Sequence, residues 1–342
     1  MAVAYSIIIP CYNLGQFIPE AIESILAQAR DDFEIIVMDD GSTDDTRVIT
    51  ERFSACVRYV YQENAGVARA RNEGLELAQG EYVIFLDADD VWLPGFMPTM
   101  LEAIKKAPPK VVGVICGWQR MTQEGDPFGN PRIVELEESS WKNLLLGNPV
   151  AVDGLIFRKQ VLQDIGGFDP NFLGTEDWDL LLRICAAGYS FGCIPTVLVG
   201  YRSVPGSMSS SIAKTLTNSI RMLEKHFSAP NFPGDLAGIR EQAMAYRHLE
   251  AYAGYLYQGL VDEAEQALKT AVEGWPELLR DMRYAYTIIT ARQPSGYKLS
   301  GEYLDLDEVE SRGRACYQRY MDTFPEEAKE GLGVFYCALG RT

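Results

Sequence analysis

Three aspartates directly follow an apolar run and could bind a metal ion. Residues 82–86 are apolar or aromatic, and Asp87, Asp89 and Asp90 follow within four positions. Such a run predicts a strand buried on both faces, and open α/β sheets bind ligands at the carboxyl ends of their strands. Mg²⁺ and Mn²⁺ prefer oxygen ligands and commonly bridge a carboxylate to a substrate phosphate. A solvated acidic turn is the alternative for so short a motif.

Strands and helices alternate along the segment that must position these aspartates. Apolar runs predict strands at residues 5–9, 33–38, 57–61 and 82–86, and helical spacing predicts helices at residues 17–28 and 67–78. Alternation at this pace is typical of an α/β fold with a parallel, doubly wound sheet.

Composition limits the function classes. The 342 residues suit two domains, and a net charge of −17 argues against a nucleic-acid partner, since phosphate backbones are bound by Lys and Arg. No apolar run reaches the roughly 18–20 residues of a membrane span, and the N-terminus does not have the pattern of a signal peptide. Seven scattered cysteines fit free thiols in a reducing compartment. We therefore expect a cytoplasmic chain.

The common phosphate-binding loops do not occur in this sequence. Neither G-x-G-x-x-G after the first strand nor G-x-x-x-x-G-K-[ST] is present. A bound nucleotide would therefore be held by acidic strand ends and a metal ion. The two histidines, His226 and His248, lie far from these strands in sequence, so carboxylates are the candidates for acid–base chemistry.

Four motifs in order resemble a known enzyme family. They are P-C-Y-N at residues 10–13, D-D-G-S-T-D at 39–44, N-A-G at 64–66 with A-R-N-E-G at 70–74, and D-A-D-D at 87–90. Together they closely resemble a family 2 glycosyltransferase with the GT-A fold. The resemblance implies a mostly parallel GT-A sheet flanked by helices, followed here by an all-α C-terminal region.

The resemblance also implies a donor site for a nucleotide-sugar. Asp89 would hold Mn²⁺ or Mg²⁺, Asp87 would face the ribose or base, and Asp39 would accept a hydrogen bond from uracil or thymine. Arg71 and Tyr12 would stack on or bond to the nucleotide. The full set that we expect to bind the nucleotide-sugar is Pro10, Tyr12, Asn13, Asp39, Asn64, Arg71, Asp87 and Asp89.

A second acidic motif follows in the sequence G-T-E-D-W-D at residues 174–179. Its acids could be first-turn residues favoured by the helix dipole, with Thr175 as the cap. The resemblance instead places the family's ED pair at Glu176 and Asp177, with Asp177 as the general base. Glu176 and Trp178 would then lie on the acceptor side, although core packing is an equal alternative for Trp178.

The family's closing segment, Y-R-x-H-P-G-S-x-S, is matched at residues 201–209 with one departure. Val204 replaces the histidine, which puts a third protein ligand to the metal in doubt. Arg202 could still neutralise phosphate charge. The Gly and Ser content fits either a flap over the donor or a linker.

The composition becomes helical from about residue 212, which suggests a glycosyltransferase domain at residues 1–211 and a helical domain at 212–342. One tetratricopeptide-like hairpin matches at Tyr255, Ala264, Leu268, Ala271 and Pro276, with Gly259 in the turn. A solenoid normally needs about three such units, so an ordinary helical hairpin is the alternative.

We therefore expect an inverting, metal-assisted glycosyltransferase that moves a sugar from a UDP-sugar, or next a dTDP-sugar, to an acceptor hydroxyl. The acceptor would be a saccharide or a lipid-linked glycan in polysaccharide or glycoconjugate synthesis. Peripheral membrane association and a homo-oligomer or protein partner bound through the helical region are left open. A sugar nucleotidyltransferase and a non-catalytic nucleotide-binding or helical scaffold are the alternative functions.

Overall fold

The computed structural model describes residues 3–28, 32–136, 140–204, 211–230, 232–281, 283–285, 287 and 306–339. The chain divides into two compact units, residues 1–144 with 148–208, and residues 145–147 with 209–342. The functional assignment of residues 1–211 and 212–342 stays a prediction.

The first unit is built on one eight-stranded sheet. Its strands are β1 (Tyr5–Cys11), β2 (Phe33–Asp40), β3 (Val57–Gln62), β4 (Tyr82–Phe85), β5 (Val91–Trp92), β6 (Val111–Met121), β7 (Leu155–Arg158) and β8 (Ser190–Arg202). The strand order is β3-β2-β1-β4-β7-β6-β8-β5. The predicted strands β1 to β4 are confirmed as a parallel block, whereas β7 and β5 run antiparallel to their neighbours and make the sheet mixed.

Strand direction explains why the motifs meet. β7 runs antiparallel to both β4 and β6, so β6 points the same way as β4, and β8 is parallel to β6. The carboxyl ends of β1, β2, β4, β6 and β8 therefore lie along one edge of the sheet. Each acidic strand-end motif predicted from the sequence occurs at this edge, which we call the catalytic edge.

Helices cover the sheet. They are α1 (Ile18–Leu26), α2 (Thr46–Thr50), α3 (Val67–Leu77), α4 (Phe96–Lys106), α5 (Ser140–Leu146), α6 (Lys159–Ile165) and α7 (Glu176–Ala186). Apolar side chains of α1 and α4, including Ile22, Ile25, Phe96 and Met100, are fully buried in one core with Ile7 of β1. This burial supplies most of the driving force that fixes the strand ends.

The second unit is helical. Its longer helices are α8 (Ile212–Phe227), α9 (Arg240–Tyr257), α10 (Val261–Gly274), α11 (Leu306–Gln318) and α12 (Pro325–Leu339). α9 and α10 form the expected hairpin, with Gly259 in the left-handed region at φ 77° and Ala264, Leu268 and Ala271 buried. Its likeness to a tetratricopeptide unit stays a prediction. Among the described residues, no helix is long and apolar enough to cross a membrane.

Candidate active site

The turn after β1 is fixed to the turn after β2. Asn13 lies in the left-handed region at φ 54°, and its Oδ1 accepts the backbone N–H of Thr43 at 2.7 Å. Its own N–H donates to Ser42 Oγ at 2.9 Å. Tyr12 beside it is 49% exposed, whereas Pro10 is buried in β1. Asn13 thus holds the two turns together, and the Tyr12 side chain beside it is exposed.

Asp39 ends β2 as a buried carboxylate with a partner on each oxygen. Its Oδ1 accepts the N–H of Ser42 at 2.8 Å, and its Oδ2 accepts the hydroxyl of Tyr59 at 2.5 Å. Burial and this bond to Asp39 raise the pKa of Tyr59, which keeps the phenol protonated and donating. A base N–H could reach Asp39 only by sharing an oxygen with one of these donors.

Asp40 organises the loop that leads into α3 and was missed by the sequence reasoning. Its carboxylate accepts bonds from Gln62 Nε2 at 2.7 Å and from the N–H groups of Ala65 and Gly66, both at 2.8 Å. Asn64, predicted to touch the nucleotide-sugar, donates its Nδ2 to the Asp40 carbonyl at 2.9 Å. Asn64 therefore holds the loop in place with its side-chain amide.

Arg71 is buried and joins two segments of the site. Its Nη2 donates to Asp87 Oδ1 at 2.7 Å, and its Nη1 donates to Glu176 Oε1 at 2.8 Å. The guanidinium lies 5.3 Å from the Phe168 ring centroid, and the residue is only 3% exposed. The expectation that Arg71 stacks on the base or ribose is therefore corrected, because its guanidinium is enclosed by protein.

The Arg71 bridge joins the acidic loop of residues 87–90, which we call the donor loop, to Glu176 and its neighbour Asp177. Burial alone would lower the pKa of Arg71, but Asp87 and Glu176 raise it, so the bridge stays charged. Glu176 is almost fully buried, and its second oxygen accepts the N–H of Gly174 at 2.6 Å. Glu176 thus anchors the start of α7 and presents no free oxygen to an acceptor.

Asn72, the neighbour of Arg71, clamps the loop that precedes α7. Its Nδ2 donates to the Phe168 carbonyl, and its Oδ1 accepts the Phe168 N–H, both at 2.8 Å. Gly167 has φ 65°, and a side chain there would collide with Asn72 Oδ1. The A-R-N sequence at residues 70–72 and the G-G-F sequence at residues 166–168 therefore act together to position α7.

Asp177 lies at the first turn of α7 and is partly exposed. Its Oδ2 accepts Asn148 Nδ2 at 3.1 Å, and its Oδ1 accepts the Trp178 N–H at 2.7 Å. Burial and the charge of Glu176 raise the pKa of Asp177 to about 7, while Arg71 opposes that rise. A carboxylate with a pKa near neutrality is suited to accept a proton.

Two expectations for the start of α7 are corrected. Trp178 is 4% exposed and donates its Nε1 to the Leu144 carbonyl at 2.6 Å, so it packs in the core and cannot form an acceptor platform. The hydroxyl of Thr175 bonds the Phe172 carbonyl at 3.4 Å and makes no capping bond to the helix.

Asp89, the expected metal ligand, is a partly exposed acid of residues 87–90. Burial and the nearby charge of Asp87 raise its pKa to about 6, so a cation there would be favourable. Over the described part of the chain, no cluster of three or more His, Cys, Asp or Glu side chains could hold a metal ion. The residues fit a cation held by Asp89 that takes most of its other ligands from a diphosphate.

Asp90 and Asp153 form a buried acidic pair beneath the same loop. Asp153 Oδ1 accepts the N–H of Asp87 at 2.6 Å, and Asp90 Oδ1 accepts the N–H of Arg202 at 2.7 Å. The two side chains are within hydrogen-bonding reach of each other, and both are 1% exposed. Burial, followed by neighbouring negative charge, raises the pKa of Asp153 to about 8 and that of Asp90 well above its ordinary value.

A proton shared between the two carboxyl groups explains how both can be buried side by side. The sequence analysis gave Asp90 no separate role beside Asp87 and Asp89 and did not single out Asp153. The available signal was an acid inside the apolar run at residues 150–157.

Arg202 is committed to protein groups. Its Nε donates to the Asp89 carbonyl at 2.7 Å, its Nη1 to the Gln123 carbonyl at 2.6 Å, and its Nη2 to Glu20 Oε2 at 2.5 Å. The expectation that Arg202 neutralises phosphate is corrected, because these three bonds hold the acidic loop from behind. Residues 205–210 of the expected flap lie outside the described residues, and the effect of Val204 stays a prediction.

The sequence comparisons agree with the motifs. The family described as Glycosyl transferase family 2 matches residues 6–165. A Bacillus subtilis glycosyltransferase named for teichuronic acid biosynthesis, TuaG, is 32% identical over 215 residues, covering 60% of this chain and 81% of TuaG. An uncharacterized glycosyltransferase of Rickettsia prowazekii is 33% identical over 187 residues, 52% of this chain; the matched segment spans 57% of the relative's own length.

Solved structures share the fold. Mannosyltransferase PcManGT from Pyrobaculum calidifontis, in complex with GDP-Man and Mn²⁺, aligns with a TM-score of 0.58 at 19% identity, covering 98% of this chain and 85% of that one. TarS 1–349 of S. aureus, in complex with UDP-GlcNAc, aligns with a TM-score of 0.57 at 17% identity, covering 99% and 92%. The fold is of the GT-A type, and this chain belongs to glycosyltransferase family 2.

Proposed function

We propose that this protein transfers a sugar from a nucleoside-diphosphate donor to an acceptor hydroxyl with inversion at the anomeric carbon. One observation carries the proposal: a single guanidinium, that of Arg71, binds both Asp87 of the donor loop and Glu176 beside Asp177. This bridge supports the proposal because it joins the loop we assign to the diphosphate with the start of α7, where we assign the general base.

Asp177 takes the proton in this reaction. The acceptor oxygen attacks the anomeric carbon and its proton passes to Asp177. The bond from that carbon to the diphosphate oxygen breaks, and its electron pair stays on the departing diphosphate. One in-line displacement of this kind inverts the configuration. Asn148, which donates to Asp177 at 3.1 Å, keeps the carboxylate oriented while the proton transfers.

The leaving diphosphate needs charge neutralisation, and Arg71 and Arg202 offer little of it because both are committed to protein groups. Mn²⁺ or Mg²⁺ bound through Asp89 would supply electrostatic stabilisation of the leaving group. The Mn²⁺ in the PcManGT complex supports this choice. Arg202 and Asp153 would hold the main chain of the loop in place around that ion.

We propose a UDP-sugar as donor, with a dTDP-sugar next, because Asp39 can accept the N–H of a uracil or thymine base. The UDP-GlcNAc bound to TarS supports UDP, and the GDP-Man of PcManGT adds GDP to the donors to be tested. The acceptor would be a saccharide or a lipid-linked glycan, and the relation to TuaG supports polysaccharide synthesis. We propose that the protein acts in the cytoplasm, with membrane contact and oligomerisation open to test.

Thermal unfolding in the presence of UDP, dTDP, GDP and CDP, each with Mn²⁺ or with chelator, tests the donor site. A bound nucleotide at 100 times its Kd should stabilise the fold by about 2.7 kcal/mol. Product analysis then separates the alternatives. Free nucleoside diphosphate indicates glycosyl transfer, whereas pyrophosphate released from a triphosphate would indicate nucleotidyl transfer. A folded protein that binds no nucleotide would contradict the proposal and favour the scaffold.

A further inference from the structure

An aromatic pair that the sequence reasoning did not use lies at the catalytic edge. Trp118 is near the carboxyl end of β6, and Tyr201 is near the carboxyl end of β8. Their ring centroids are 5.4 Å apart with planes tilted by 51°, and both side chains are partly exposed. Because β6 and β8 point the same way as β4, the pair lies at the sheet edge that carries Asp87 and Asp89.

The pair is also tied to the general base through two adjacent residues. Trp118 donates its Nε1 to the Pro149 carbonyl at 3.2 Å, and Asn148, the preceding residue, donates to Asp177 at 3.1 Å. On the other side, Arg202, the residue after Tyr201, donates its backbone N–H to Asp90 Oδ1 at 2.7 Å. The aromatic pair is therefore tied through adjacent residues to both the donor loop and the base.

We propose that Trp118 and Tyr201 form the platform on which the acceptor sugar ring packs, an inference that rests on the proposed function. A pyranose presents an apolar C–H face. Large aromatic side chains offer apolar area for it to pack on, and they lose little conformational entropy on binding. The Nε1 bond to Pro149 fixes the Trp118 ring relative to Asp177. A sugar packed there would direct one hydroxyl toward the base. Trp178 cannot supply such a platform because it is buried in the core.

The Trp118 ring has a second neighbour that fits this role. The guanidinium of Arg120, two residues along the same strand face, lies 5.9 Å from the Trp118 ring centroid. It flanks the platform, while β8 contributes Tyr201 directly opposite Arg120 in the strand register. The platform is thus built on two adjacent parallel strands of the sheet, and regular elements place side chains more precisely than loops do.

Saccharide binding is the test, measured by saturation-transfer NMR with uncharged di- and trisaccharides of glucose, galactose, mannose and N-acetylglucosamine, in the presence of UDP and Mn²⁺. Trp118→Leu and Tyr201→Leu should each weaken binding about tenfold, as expected for a central aromatic contact. Trp118→Phe should recover most of the loss. Tyr257→Leu, which removes an aromatic side chain 56% exposed in the helical unit, is the matched control and should bind as the wild type does.

The thermal shift with UDP and Mn²⁺ is recorded for every variant and should not change. Unchanged saccharide affinity in both leucine variants would overturn the platform, as would a wild type that binds UDP with Mn²⁺ but none of the saccharides. Loss of the nucleotide shift in the leucine variants alone would move the pair to the donor and also overturn it. Failure of the wild type itself to bind any nucleotide would instead count against the proposed function.

Discussion

Asn148 donates a hydrogen bond from its Nδ2 to Oδ2 of Asp177 across 3.1 Å. An amide donor in this position favours the charged form of the carboxyl, whereas burial and Glu176 favour the neutral form. The balance leaves the pKa of Asp177 at about 7, and this value has a direct consequence for the pH dependence of catalysis.

We expect kcat/KM to rise as the pH increases through about 7, because Asp177 accepts a proton only when it is deprotonated. The measurement is kcat/KM from pH 5.5 to 9 at saturating Mn²⁺. Asn148→Leu removes a bond to the charged form and should move the midpoint to higher pH. A profile that is already flat from pH 5.5 upward would contradict the assignment of Asp177.

Asp177→Asn should lower turnover by about 10²–10⁴-fold, the usual contribution of a general base. Nucleotide binding should persist, because Asp177 does not contact Arg202 or the backbone of the donor loop. Turnover and the thermal shift with UDP and Mn²⁺ are measured together. Asp164→Asn, an exposed carboxylate on α6, serves as the matched control and should act as the wild type does. Near-normal transfer by Asp177→Asn would remove that residue from the mechanism.

Asp89→Asn should abolish the difference in nucleotide binding between Mn²⁺ and chelator. The reason is that an amide is a poor ligand for a hard cation next to an anionic diphosphate. Isothermal titration of UDP with and without Mn²⁺ measures the effect. The control is Asp126→Asn, an exposed acid in a turn outside the donor loop. Unchanged Mn²⁺ dependence in Asp89→Asn would show that the ion is held elsewhere.

Replacing Asp153 should separate charge from hydrogen bonding in the buried acidic pair. The raised pKa of about 8 means that the folded protein holds a proton that the unfolded chain releases at its ordinary pKa. The free energy of unfolding should therefore fall as the pH rises from about 4 to about 8. Urea unfolding across this range should show a smaller fall for Asp153→Asn, whose amide oxygen can accept the Asp87 N–H and whose NH₂ can donate to Asp90.

Asp153→Ala is the contrasting variant. It leaves the Asp87 N–H without its acceptor, and an unsatisfied buried group of this kind costs about 1–3 kcal/mol. We expect it to be less stable than Asp153→Asn at every pH. Equal stability of the two variants would show that the Asp87 bond contributes nothing.

Arg202→Lys should weaken Mn²⁺-dependent UDP binding, because lysine cannot reproduce the fork that reaches Glu20, Gln123 and the Asp89 carbonyl together. An effect of about tenfold corresponds to about 1.4 kcal/mol. Arg52→Lys is the control, since Arg52 is an exposed arginine between α2 and β3. Unchanged affinity in Arg202→Lys would make the contacts of Arg202 dispensable for the metal site.

Local pattern was enough to predict much of the fold. Strands β1 to β4 and the helix that carries Arg71 were predicted within one or two residues, because their apolar periodicity and bounding turns are strong. β5 and β8 were not anticipated. β5 spans only two residues. The apolar run of β8 is interrupted by Gly192, Pro195 and Thr196, so it does not have the pattern of a single strand.

The partners of buried polar groups were harder to predict. Arg71 and Glu176 are 105 residues apart, and only the completed sheet brings α3 and α7 together. The sequence analysis placed Arg71 at the nucleotide and left Trp178 equally open to the acceptor side and to core packing, whereas both side chains are buried among protein groups. Asp153 became visible only through the backbone N–H of Asp87 that it accepts.

The Asn72 clamp also limits how this enzyme can be recombined with its relatives. Donor and acceptor segments look separable in the sequence, with a crossover anywhere between residues 72 and 167. In a chimera with a larger residue at position 167, that side chain would collide with the Asn72 amide. A chimera without Asn72 would lose the hydrogen bonds to both the N–H and the carbonyl of Phe168. Asn72 and Gly167 should therefore be inherited as a unit whenever specificity is exchanged by domain shuffling.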